Sequence, residues 1–316
     1  MIKKPEDLTF ENKKFSMILY GAPGVGKTTL ALSAPKPVLI DFDRGISRVK
    51  AYHRALTIEC SKYEEVLQDI QSPEIKDCET IVIDTGGALI SYLQDWAMRT
   101  NPAVNQQKNG AISLKGYGAV KGEFQRLTSL IRDRLNKNVI YVFHSEEQKD
   151  KDGNPQQRLM CEGAAKNLVW QPCDFGGYVQ MIGADRFVGF SPTQEYFAKG
   201  CYGIEGIIPV PNLGPSDKND FLTRLFDKAR TQIQDEVKAL NPIKEQYETV
   251  MAAAKELIGS ATTVDDLNAA KDAIGGMEHA LTSKAECGAL LKAKAKEIGA
   301  VLDKATKTYK AEEVQG

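Results

Sequence analysis

The chain has 316 residues, 42% hydrophobic and 26% charged, with 41 basic and 42 acidic side chains and a formal net charge of -1. That length can bury a sizeable core and hold one large α/β domain plus a smaller appendage, and the balanced charge excludes a global basic field, so any nucleic-acid contact must be local. Six scattered cysteines without a Cys-x-x-Cys pair, beside only His53, His144 and His279, argue against zinc and for a reduced, cytoplasmic setting.

The N-terminus, Met1-Ile2-Lys3-Lys4-Pro5, lacks an apolar signal core, and no apolar run approaches the roughly 18 residues that span a bilayer, so no membrane partner is expected. Phe15-Ser16-Met17-Ile18-Leu19-Tyr20 reads as a buried strand. It leads into Gly21-Ala22-Pro23-Gly24-Val25-Gly26-Lys27-Thr28, a full match to the phosphate-cradling P-loop pattern, and Thr28-Thr29-Leu30-Ala31-Leu32 leads out as a helix that stops before Pro35. Gly21, Gly24 and Gly26 permit the dihedrals that turn successive N–H groups, those of Val25 and Thr29 among them, around phosphate oxygens at a helix N-terminus. Lys27 is placed to reach the β- and γ-phosphates as a point charge, and the Thr28 hydroxyl to ligate Mg²⁺, so ATP and Mg²⁺ are the expected cofactors.

Further along, Pro37-Val38-Leu39-Ile40 reads as a second parallel strand with Asp41 and Asp43 at its C-terminal tip. A short strand is expected at Ala55-Leu56-Thr57-Ile58 and a helix over residues 63–70. Thr80-Ile81-Val82-Ile83-Asp84-Thr85 reads as a strand buried on both faces. Its terminal acid, Asp84, is the candidate Mg²⁺ carboxylate beside Thr28. A helix runs from Gly86 through Trp96, and residues 100–118 turn polar and aperiodic, predicting a mobile loop. An amphipathic helix is predicted over residues 119–136, then a buried strand, Asn138-Val139-Ile140-Tyr141-Val142-Phe143-His144, and short edge strands around 186–190, 195–198 and 207–210. Asp41 and Asp43, two positions apart on one face, both qualify as the group that activates water, Asp43 being the leading candidate, and the alternative for either is a turn-capping acid. His144 could hydrogen-bond the γ-phosphate and report its presence, or be an ordinary sheet-edge histidine.

Composition shifts near residue 221 to Ala, Lys, Glu and Leu. Helices are predicted over residues 221–240, ending before Asn241-Pro242, then 243–258, 264–277 and 283–311, forming a helical hairpin or small bundle. The domain division is therefore 1–225 and 226–316. Lys292, Lys294, Lys296, Lys304, Lys307 and Lys310 on the last helix form a solvated face or a local nucleic-acid contact.

Taken together, the P-loop, Leu39-Ile40-Asp41-Phe42-Asp43, Ile81-Val82-Ile83-Asp84-Thr85 and Val139-Ile140-Tyr141-Val142-Phe143-His144 resemble the RecA-like ATPase core over roughly residues 12–225. Within that class the chain is most similar to compact phage-encoded ATPases of single-strand annealing and recombination. The resemblance implies an α/β fold with a mostly parallel sheet flanked by helices, Mg²⁺-dependent ATP hydrolysis, single-stranded DNA as partner, a ring or filament of identical subunits, and a single-strand-binding or recombination protein as a further partner. It assigns Asp43 to the catalytic glutamate position and His144 to the polar sensor. Lys199, in Phe197-Ala198-Lys199-Gly200-Cys201, falls where a lysine completes a neighbour's site; the family's following arginine is replaced by Cys201, with Arg186 as an auxiliary cation. An alternative class is a nucleotide-gated adaptor whose 100–118 loop is ordered for a protein partner. A small-molecule kinase is disfavoured because no Arg-rich lid follows the core.

Overall fold

The computed structural model describes residues 10, 12–161 and 169–312; the reading of Met1 to Pro5 lies outside them. Five apolar runs form parallel strands: β1 (Ser16–Gly21), β2 (Pro37–Asp41), β3 (Leu56–Ile58), β4 (Thr80–Asp84) and β5 (Asn138–Lys149). β6 (Pro155–Leu159) folds back antiparallel on the outer half of β5, and β7 (Phe175–Ile182) lies parallel to β1. β8 (Asp185–Gly189) and β9 (Ile207–Val210) then add antiparallel strands, giving the order β3-β2-β4-β5-β1-β7-β8-β9. This is the mostly parallel sheet expected of a RecA-like core.

Helices α1 (Lys27–Ala31), α2 (Tyr63–Asp69), α3 (Gly86–Thr100), α4 (Pro102–Asn105) and α5 (Leu114–Ser129) follow the strands. Val66, Leu89, Leu93, Phe124 and Leu127 pack with Ile18, Ile40, Ile81, Ile83 and Tyr141 in one core. The intervening strand residues, Met17, Leu19, Leu39, Val82 and Ile140, are equally inaccessible to solvent. Burial on both faces explains why these strands read as continuous apolar runs rather than alternating ones.

The chain divides into two compact units, Met1–Gln232 and Ile233–Gly316. The second has its own core: Val250, Ala254 and Ile258 of α6 (Phe221–Ser260), Leu267 and Ile274 of α7 (Val264–Gly275), Cys287 and Leu291 of α8 (Ser283–Glu297), and Tyr309 of a terminal hairpin, β10 (Ala300–Asp303) with β11 (Thr308–Ala311).

Four local expectations are corrected. Residues 100–118 are not an aperiodic loop: α4, a bridge between Gln106 and Ile112, and the first turn of α5 occupy them. Their polar side chains satisfy local backbone, Asn105 donating to the Ala97 carbonyl and Ser113 accepting from Gly116 N–H to cap α5. That helix accordingly begins at Leu114 and passes into a π-helical turn at Leu130–Arg134. Pro242 does not end a helix, since α6 runs through it despite the cost of about 3 kcal/mol that a proline carries in a helix interior. The last helix stops at Glu297, where Gly299 adopts φ 66° and starts the hairpin, so Lys304, Lys307 and Lys310 leave the helix face, Lys310 pairing with Asp303. Finally, residues 195–198 form only an isolated bridge, Tyr196 to Gln157.

Candidate nucleotide site

Parallel pairing brings the C-terminal ends of three strands together. Gly21, which closes β1, is the partner of His144 on β5, and Asp84, which closes β4, is the partner of Asp41 on β2. The chain between Gly21 and α1 curls back on itself, with Gly24 at φ 80° and Gly26 at φ 85°. At Gly26 the requirement is double: the backbone is left-handed, and a Cβ there would lie 2.7 Å from the Arg186 guanidinium carbon.

The first helical residues carry the chemistry. The buried Lys27 donates its Nζ to the Ala22 carbonyl at 2.8 Å. Burial lowers its pKa, opposed by the charges of Asp84 and Asp43. Thr28 donates its hydroxyl to Asp84 Oδ2 at 2.5 Å. Burial, joined by the nearby charges of Asp43 and Asp41 and opposed by the Thr28 hydrogen bond and the Lys27 charge, pushes the Asp84 carboxyl up to about 6. The Asp84–Thr85 peptide is cis.

A hydroxyl and a desolvated carboxylate sharing one small space are hard oxygen donors of the kind Mg²⁺ prefers, and a divalent ion there would offset the repulsion from Asp41 and Asp43. Among the described residues no group of three His, Cys, Asp or Glu side chains could cage a metal. Mg²⁺ shared with nucleotide phosphates needs no such cage. Thr28 and Asp84 therefore fit the ion, which would neutralise charge on the phosphates.

The two strand-tip acids part company. Asp41, 2% exposed, accepts the N–H groups of Gly45 and Ile46 on its two oxygens, both at 2.8 Å, and thus caps the turn after β2. Asp43 is exposed and pairs with Arg48 at 3.1 Å, while its charge is felt at Lys27, Asp84 and His144. Sharing a strand face did not give the two acids a common role, because the turn at Gly45 claims Asp41. The half-buried His144 has Nδ1 out of solvent without a hydrogen-bond partner among the described residues. Burial, then the Lys27 charge, lowers its pKa, so the ring is neutral at pH 7.

Lys199 is not brought to this cluster. Its Nζ donates to the Cys173 carbonyl at 2.5 Å, next to the N-terminal end of β7 and so at the opposite end of the sheet from the P-loop. Arg186 does the reverse of what the sequence suggested. Rather than standing apart for a neighbouring subunit, it reaches from β8 onto its own P-loop, donating Nε to the Val25 carbonyl at 2.6 Å. Asn219, unnoticed in the sequence, donates to the Thr29 carbonyl at 2.9 Å. Beside them a groove of about 620 Å³ is lined by Arg186, Phe187, Ile208, Val210, Arg224 and Lys228. Neither contact had a sequence signal beyond residue type, since the β7–β8 hairpin that delivers Arg186 starts from a strand interrupted by glycines.

Residues 13–202 match the family model AAA_24, described as an AAA domain. Among solved structures the chain is similar to a KaiC-like protein of Pyrococcus horikoshii, at 14% identity, covering 62% of this chain and 89% of that one with a TM-score of 0.34. It is also similar to the flagellar accessory protein FlaH of Methanocaldococcus jannaschii, at 10% identity, covering 63% and 90% with a TM-score of 0.33. No curated protein matches the sequence.

Proposed function

Because the chain belongs to the AAA_24 family of AAA domains, we propose that it binds Mg²⁺-ATP and hydrolyses it, and that hydrolysis is coupled to single-stranded DNA in an oligomer of the phage recombination or annealing type. The observation that carries the nucleotide half is the Lys27, Thr28 and Asp84 cluster, in which Thr28 and Asp84 already share a 2.5 Å hydrogen bond at the mouth of the phosphate loop. Lys27 holds the phosphates, Asp43 is the carboxylate exposed to take a proton from water, and neutral His144 reads the terminal phosphate through a ring nitrogen.

The DNA half is supported by β5. The strand that carries His144 beside Gly21 continues without a break to Lys149 and returns through β6. On that return Arg158 lies over the ring of Phe197, 5.8 Å from its centroid, and Phe197 in turn meets Trp170 edge-on at 4.8 Å. Phe197 is 42% exposed, an aromatic surface flanked by a cation, the combination that receives bases in single-strand binders. The sensor candidate on β5 is thus linked, through the β5–β6 ribbon, to Arg158 on β6 and to the Phe197 ring that Arg158 covers. The adaptor alternative rests on the 100–118 segment, which α4, the Gln106–Ile112 bridge and the first turn of α5 order locally.

ATPase rate with and without single-stranded oligonucleotide is the test. Stimulation together with a salt-sensitive mobility shift of the labelled strand supports the reading; hydrolysis that ignores DNA, with no shift at low salt, overturns its DNA half and favours the adaptor.

A further inference from the structure

We propose that Arg186 is a positioning residue of the nucleotide site, acting within its own chain: it locks the Val25–Gly26 peptide of the phosphate loop in the orientation that binds phosphate. This rests on the ATP-binding reading above and adds a residue to it. The phosphate loop needs left-handed backbone at Gly26, and glycine supplies it. The same glycine makes the preceding peptide easy to flip, because no side chain penalises the alternative. A flipped peptide would present a carbonyl oxygen, not an N–H, to the phosphates.

Arg186 removes that freedom. In a planar trans peptide the C=O and the following N–H point in opposite directions. With the Val25 oxygen held by Arg186 Nε at 2.6 Å, the Gly26 N–H is turned to the far side, away from the guanidinium. The guanidinium also covers Gly26, its carbon 2.7 Å from where a Cβ would stand. The brace is rigid because β8 is paired on both sides, Arg186 opposite Met181 of β7 and opposite Val210 of β9, and β7 in turn pairs with β1. Loop and brace are therefore fixed to one sheet. Two other cations near the loop are engaged elsewhere, Lys27 on Ala22 and Arg48 on Asp43. An arginine suits the task, since its Nε–H sits on a planar, permanently charged group that lysine cannot imitate.

The experiment is titration of the full-length chain with a fluorescent ATP analogue, alongside kcat and KM for ATP, for wild type, Arg186→Ala and Arg186→Lys. Losing a charge-assisted hydrogen bond is expected to weaken analogue binding about 10-fold or more in the alanine variant, with an unchanged melting curve. The lysine variant keeps the charge and serves if the alanine variant fails to fold; it is expected to bind about as weakly as alanine. Millimolar guanidinium is expected to restore binding to Arg186→Ala and to leave Arg186→Lys unmoved. Mixing Arg186→Ala with Lys27→Ala, which retains the brace but not the phosphate lysine, is expected to recover no turnover. Wild-type affinity in both Arg186 variants, or turnover regained on mixing, overturns the proposal while leaving the ATPase reading in place. A wild-type chain that binds no analogue overturns both.

Discussion

Asp84→Asn separates stability from function in a way that can be worked from the structure. The buried carboxyl, 6% exposed, has its pKa pushed from 3.8 to about 6. A folded pKa above the unfolded one means that the folded chain holds the proton more tightly. The stability from that proton is complete below the unfolded pKa and is lost as pH rises through about 6. At pH 7.5 the ionised side chain therefore weakens folding by at most about 3 kcal/mol, a shift of roughly two pKa units at about 1.4 kcal/mol each. Asparagine keeps the shape and an acceptor for Thr28 without the charge. Without nucleotide and Mg²⁺, the variant is expected to melt higher than wild type at pH 7.5, by roughly 5–10 °C at the upper bound, and the difference should shrink steadily toward pH 4.5. Mg²⁺-dependent ATP binding should be lost in the same variant. Differential scanning fluorimetry across that pH range, paired with nucleotide titration, measures both. An unchanged or lower melting temperature at pH 7.5, or a gain as large at pH 4.5, would refute the burial argument.

Lys27→Ala should reduce ATP binding below detection in an equilibrium titration, and normal affinity would contradict the phosphate-loop assignment. Lys199→Ala should lower turnover while sparing ATP affinity if the ammonium acts on a neighbouring subunit's site; unchanged turnover would mean that the site is self-contained. Gly176→Ala should destabilise the first unit by about 2 kcal/mol or more, since the new Cβ would fall 1.9 Å from the Trp170 ring; chemical denaturation followed by tryptophan fluorescence would show it, and a wild-type midpoint would count against the close packing. Below pH 6 Mg²⁺-ATP affinity should decline in wild type as Asp84 takes up its proton; a flat affinity profile from pH 7.5 to 5 would exclude Asp84 as the metal carboxylate.

The phosphate loop and the Asp84 and His144 strands were legible because burial on both faces leaves an uninterrupted apolar run, and each run ends in a polar residue. β7 was not read as a parallel central strand. Gly176 and Gly177 interrupt its pattern, and the reason they are glycine is spatial: the Trp170 ring and the Val188 side chain occupy the places of their Cβ atoms. Such contacts come from residues near in space, and no periodicity encodes them. Missing β7 also hid the direction of the hairpin that follows, and with it Arg186. The polar 100–118 segment misled for a different reason. Its side chains bond to nearby backbone, so low hydrophobicity there marks local capping rather than mobility. Asp41 and Asp43 were indistinguishable by spacing, and only the fold of the turn at Gly45 separated them.

The single strand β5 has two physical regimes along its length. From Asn138 to Phe143 it is flanked by β1 and β4 and wholly buried; beyond His144 it has β6 as its ladder neighbour and side chains at the surface. Amide protons should therefore exchange with solvent on two timescales within one strand. The slow half would require opening of the whole sheet, and the fast half only separation of the β5–β6 ribbon. The step falls at the histidine beside the phosphate loop. A ribbon can thus loosen, or stiffen on binding a ligand, without disturbing the half of the same strand that holds the phosphate site in register.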